Sequence, residues 1–106
     1  MKTTTLDHLE EAKSLLRKMI PVARRFLRDS NDITIMMRSM YAEALYKADD
    51  AMLDDIREAV ATLEETERTA RRVLGGTHPD TASIEEDLQK ARAVLRARET
   101  PPPGSA

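Results

Sequence analysis

His8 and His78 are the two imidazoles of this 106-residue chain, and with Asp49, Asp50, Asp54 and Asp55 they are its first candidates for chemistry. An imidazole acts as metal ligand or general base when other ligands or a reacting group stand at suitable spacing. Neither histidine has such neighbours, and no cysteine is present to complete a zinc set. His78 therefore reads as a capping residue in a turn. Calcium would need ligands at alternating positions around a central glycine. The aspartates lack that pattern and read as a solvated turn that also caps the next helix. Glu85, Glu86 and Asp87 fall in the first turns of an expected helix, where negative charge complements the helix dipole. Arg24-Arg25 and Arg71-Arg72 recur near helix C-termini, which favour cations, and could also form an edge that binds carboxylate or phosphate. Met36, Met37, Met40 and Met52 read first as core and second as an adaptable groove. No Ser-His-Asp set, glycine-rich phosphate loop or buried acid pair can be argued, so the chain reads as non-enzymatic, with no cofactor and no metal.

Composition narrows the class further. With 17 basic against 19 acidic residues and a formal net charge of -2, no large field draws nucleic acid. The longest apolar run falls far short of the roughly 18 residues of a membrane span. The start, "MKTTTLDHLEEAK", lacks the apolar core of a signal peptide. The absence of cysteine fits a reducing compartment. A soluble, cytoplasmic protein that binds neither nucleic acid nor membrane is the expectation. Phe26, Tyr41 and Tyr46 are the full aromatic set, while Ala, Leu, Met, Glu, Lys and Arg dominate. That composition points to an all-α fold.

Apolar spacing predicts four helices at about 6–28, 32–48, 53–74 and 79–98, forming one domain over 6–98 between a disordered N-terminus at 1–5 and a disordered, proline-rich tail at 99–106. The first helix carries one stripe of Leu6, Leu9, Leu16, Ile20, Ala23 and Leu27 and a neighbouring one of Ala12, Leu15, Met19, Val22 and Phe26. So wide an apolar face suggests burial on two sides. Pro21 predicts a kink near Arg17 to Pro21, in a pattern too continuous for a break. Ser30, Asn31 and Asp32 offer caps for the second helix, whose inward face holds Ile33, Met36, Met37, Met40, Tyr41, Ala44 and Leu45. The third carries Leu53, Ile56, Val60, Leu63, Ala70 and Leu74, interrupted at Glu67, and the fourth Ile84, Leu88, Ala91, Val94 and Leu95.

In "RRVLGGTHPDT", Gly75 or Gly76 can take the left-handed conformation that closes a helix, Thr77 or His78 can cap the next, and Pro79 suits its first turn. This is a tight turn between packed helices. A shift of 47 positions lays Leu6 on Leu53, Glu11 on Glu58, Ala12 on Ala59, Leu16 on Leu63, Arg24-Arg25 on Arg71-Arg72 and Thr34 on Thr81. Met37, Tyr41 and Ala44 fall on Ile84, Leu88 and Ala91. A two-helix period of this length is the signature of an α-solenoid unit.

These residues resemble the tetratricopeptide repeats of the kinesin light chain type. "LGGTHPDT", Leu74 to Thr81, is similar to that family's inter-repeat turn. Leu9 to Ala12 and Ile56 to Ala59 are similar to the start of its second helix, and Ala42 stands where its first helix takes a small residue. Gln89 departs from the pattern at the equivalent place. The resemblance implies antiparallel helical hairpins, either as a solenoid fragment or closed into a four-helix bundle. It also implies a non-catalytic scaffold that binds a protein or peptide on the second and fourth helices. Arg38, Ser39, Glu43, Glu86 and Lys90 would fall at its groove positions, with Met40 and Tyr41 supporting or contacting the partner. Independently of that resemblance, the apolar stripes of the first and third helices could instead complete their burial in a homodimer.

Overall fold

The computed structural model describes residues 5–100, with side-chain surroundings from His8 onward. Its helices are α1 (Thr5–Leu27), α2 (Asp32–Tyr46), α3 (Leu53–Leu74) and α4 (Pro79–Glu99), and no strand occurs among the described residues. Of the expected tails, 1–4 and 101–106 lie outside those residues, whereas Thr5 and Glu99 are helical and Thr100 caps α4 by donating its N–H to the Arg96 carbonyl. No described helix is long and apolar enough to cross a membrane.

Local chemistry accounts for the helix ends. Asn31 caps α2 by accepting the Ile33 N–H at 2.8 Å, and His78 caps α4 by accepting the Asp80 N–H on Nδ1 at 3.0 Å. That bond requires an unprotonated Nδ1, so the ring is spent on structure. Gly75 closes α3 at φ 96° and ψ 152°. Its φ is positive as expected, but its ψ lies outside the left-handed helical well, in a region open essentially to glycine. The aspartates do not cap α3. Met52 occupies that position without a side-chain bond, while Asp54 and Asp55 enter the first turn. The linker before it is held from α4, where Arg98 donates to the carbonyls of Ala51 at 2.7 Å and Asp49 at 2.9 Å. α1 passes through Pro21 unbroken, because only the bond to the Arg17 carbonyl is lost and the apolar pattern continues on both sides.

Packing follows chain order. α1 approaches α2 alone, α2 lies between α1 and α3, and α3 lies between α2 and α4, with one edge of α2 touching α4. A closed four-helix bundle would set α1 beside α4. It does not, so the hairpins form an open series. The radius of gyration, 14.9 Å, exceeds the value of about 13 Å for a compact domain of this length. The shortest dimension, 20 Å, is about two helix diameters. The core is a seam of Leu16, Ile35, Leu45, Ile56, Leu63, Ile84 and Leu88, between which Ala42, Ala59, Ala70 and Ala91 let the helices approach closely.

Salt bridges at seven-residue spacing confirm that α3 and α4 run antiparallel: Arg57 with Glu99 at 3.2 Å, Glu64 with Arg92 at 3.0 Å and Arg71 with Glu85 at 3.5 Å. Both helices alternate sign down this ladder. Being half-exposed, the pairs fix register more than they add stability. Glu85, Glu86 and Asp87 thus lie beyond the first turn of α4, where Asp80 meets the dipole instead.

Candidate partner-binding surface

The seven residues expected to read a partner divide into two sets. Arg38, Ser39 and Tyr41 are buried, at 5%, 5% and 8% exposure. The Arg38 guanidinium turns onto α3, 3.0 Å from Glu65. Tyr41 joins three helices: its hydroxyl donates to Glu58 at 2.8 Å and accepts from Arg17 at 3.2 Å. Burial raises the pKa of this hydroxyl, against the opposing pull of Arg17. Arg38 and Tyr41 hold α1, α2 and α3 in register, and none of the three side chains lines an open groove. The reason is that α2 is a central helix, packed on two sides, so only a narrow strip of it meets solvent.

Met40, Glu43, Glu86 and Lys90 lie on or near the surface. Glu43 pairs with Lys47 at 2.8 Å and Glu86 with Lys90 at 3.2 Å. Between them Asp87 accepts a hydrogen bond from the Tyr46 hydroxyl at 3.3 Å, tying α4 to α2. Burial first, and the Glu43 charge second, raise the Asp87 carboxyl above the ordinary aspartate range. Tyr46 is pushed up as well, chiefly by burial. Here is a charged strip whose groups are already partnered within the molecule.

The other candidates are also committed to structure. Arg24 forms a two-point pair with Asp29, at 2.6 and 3.2 Å, and Arg71 binds Glu67 and Glu85. The Arg25 guanidinium stands 5.8 Å from the centre of the Phe26 ring. Met36 and Met37 are half-buried, but Met40 and Met52 are exposed. No group of three metal-binding side chains occurs among the described residues.

A different surface emerges on α1. Leu15, Met19, Val22 and Phe26 are 57%, 41%, 55% and 74% exposed, and Leu27 and Ile33 extend the patch onto the start of α2. A groove of about 360 Å³ runs along it, with Lys18 on its wall. The sequence pattern identifies this stripe, but its burial on two sides does not occur. α1 uses only its Leu16, Ile20 and Ala23 side, against α2.

The 47-position correspondence between α1 and α3 relates this open face to a covered one. Under the shift of 47 the stripe falls on Thr62, Thr66, Thr69 and Val73 of α3. That is the side of α3 toward α2, as the Glu58–Tyr41 and Glu65–Arg38 contacts establish. Thr66 and Thr69 are buried there, their hydroxyls bonded back to the carbonyls of Thr62 and Glu65. On this side α1 therefore has no helix against it among the described residues, where α3 has α2. On α4 the counterparts of Ile35, Arg38 and Ala42, which face α3 from α2, are Ala82, Glu85 and Gln89, all exposed. Gln89 can replace the small Ala42 because no helix packs over it. Comparison with protein families, curated proteins and solved structures gave no match.

Proposed function

We propose that the chain is a non-catalytic protein-interaction module, a short tetratricopeptide-like array suited to a reducing cytoplasm, which engages its partner through the open apolar groove on α1. The observation that carries this reading is the exposed stripe Leu15, Met19, Val22 and Phe26, at positions whose counterparts in α3 adjoin a helix. Four large apolar side chains in a row form a patch that a monomer rarely leaves open without a use. The strip of Met40, Glu43, Glu86 and Lys90 then serves as a secondary, polar contact.

A panel of amphipathic helical peptides of varied charge, titrated against the intact chain and a Phe26→Glu variant, tests this. Binding to the parent, lost in the variant while the melting temperature holds, is the expected result. Failure of every peptide to bind would reject the groove. The second reading, a homodimer through the same stripe, is favoured by its exposed apolar character alone. It predicts a mass that halves on dilution and melting that depends on concentration.

A further inference from the structure

Building on the proposed interaction role, we infer that the α1 groove takes an acidic amphipathic helix from another protein, laid antiparallel to α1 in the place equivalent to that of α2 on α3.

The register of that helix can be read from the interface already present. α2 meets α3 with Ile35, Ala42 and Leu45, buried at 1%, 0% and 2%, and sets Arg38 opposite Glu65. A helix seated equivalently on α1 would present apolar residues three before, and four and seven after, the position corresponding to Arg38. In α1 the counterpart of Glu65 is Lys18, so the charge is reversed. The docking helix needs a carboxylate where α2 carries its arginine. One heptad along α1 from Lys18, Arg25 adds a second cation beside Phe26. Arg28 lies beyond it at the helix end. Among residues with described side chains, Glu11, the counterpart of Glu58, is the one acid on this flank of α1, while Asp32 stands at the far lip beside Ile33. The rim of the groove is thus basic along most of its length, whereas the chain as a whole carries a net charge of -2.

Charge argues against one pairing of the chain's own copies and seam polarity against another. Antiparallel pairing of two α1 stripes, Leu15 against Phe26 and Met19 against Val22, would bring Lys18 of each copy to Arg25 of the other. Two like-charge contacts would flank the apolar seam. Head-to-tail growth would set Glu85, the counterpart of Arg38, opposite Lys18, but it would lay Ala82, Gln89 and Arg92, the counterparts of Ile35, Ala42 and Leu45, on the apolar stripe, so the seam would be mostly polar. Neither offers what the groove lacks: an apolar seam edged by acids.

Two designed peptides sharing one apolar face, one edged with glutamate and the other with lysine, decide the matter by fluorescence anisotropy against the full chain. The acidic peptide should bind about tenfold more tightly, the worth of two rim ion pairs, with the preference narrowing as salt rises. Lys18→Glu, an exposed change checked for unaltered helicity, should reduce or invert the preference. Equal binding of both peptides, or tighter binding of the basic one, would overturn the acidic assignment while leaving the groove intact. Neither peptide binding, with a dimer that Phe26→Glu dissolves, would make a second copy the occupant and overturn the inference. If neither binds and the chain is monomeric, the proposed interaction surface itself fails.

Discussion

Thr34 and Thr81, three residues beyond the caps Asn31 and His78, bury hydroxyls that find no hydrogen-bond partner. They are equivalent under the repeat and both are fully buried. Valine has nearly the same shape without the cost of an unsatisfied polar atom. Thr34→Val and Thr81→Val should therefore each raise stability by about 1 kcal/mol, measured as a higher midpoint of urea unfolding. A lower midpoint would mean that the hydroxyl is bonded in solution. Asp87 makes a pH prediction at the same scale. Burial, then Glu43, raises its pKa, with Lys47 and the Tyr46 hydroxyl opposing. A carboxyl raised on folding stabilises the native state fully below its unfolded pKa, and that contribution is lost as pH climbs through the folded value. Asp87→Asn should flatten the decline in stability just above the ordinary aspartate range and leave the chain more stable at neutral pH. Melting curves across that range would refute this if the slope survived. Single residues also mark the limit of reading by position. Arg38 and Ser39 sit at expected groove positions, yet both are buried, since a sequence position does not state how many helices pack around it.

Helices are the scale at which the chain is most legible. Asn31, the Gly75-to-Pro79 turn and the three-and-four apolar spacing are local signals, and the four observed ranges differ from the expected ones by no more than two residues at any end. The signal overlooked was the heptad alternation of Arg57, Glu64 and Arg71 against Glu85, Arg92 and Glu99, present in the sequence as sign changes at equal steps. α1 and α3, alike in pattern, differ in surroundings. α3 is enclosed by two helices, whereas α1 leans on one. Amide exchange should accordingly be faster in the middle of α1 than in the middle of α3, because opening α1 exposes less buried surface. Addition of a peptide that fills the groove should slow it. Equal protection in the two free helices would show that α1 is covered in solution.

Across the whole molecule, the asymmetry between the ends of the series matters most. One end closes on the polar outer face of α4. The other leaves Leu15, Met19, Val22 and Phe26 in solvent. By itself the sequence determined the all-α class, the helix limits and the tight turn, because each rests on contacts within a few residues or on periodicity along one helix. It also marked both apolar stripes of α1. Only the tertiary structure decided that the hairpins stay open, that α3 is covered and α1 is not, and that Arg38 and Ser39 turn inward. A stripe of apolar residues has the same pattern whether a helix lies over it or solvent does, and the choice depends on which helices the packing brings alongside.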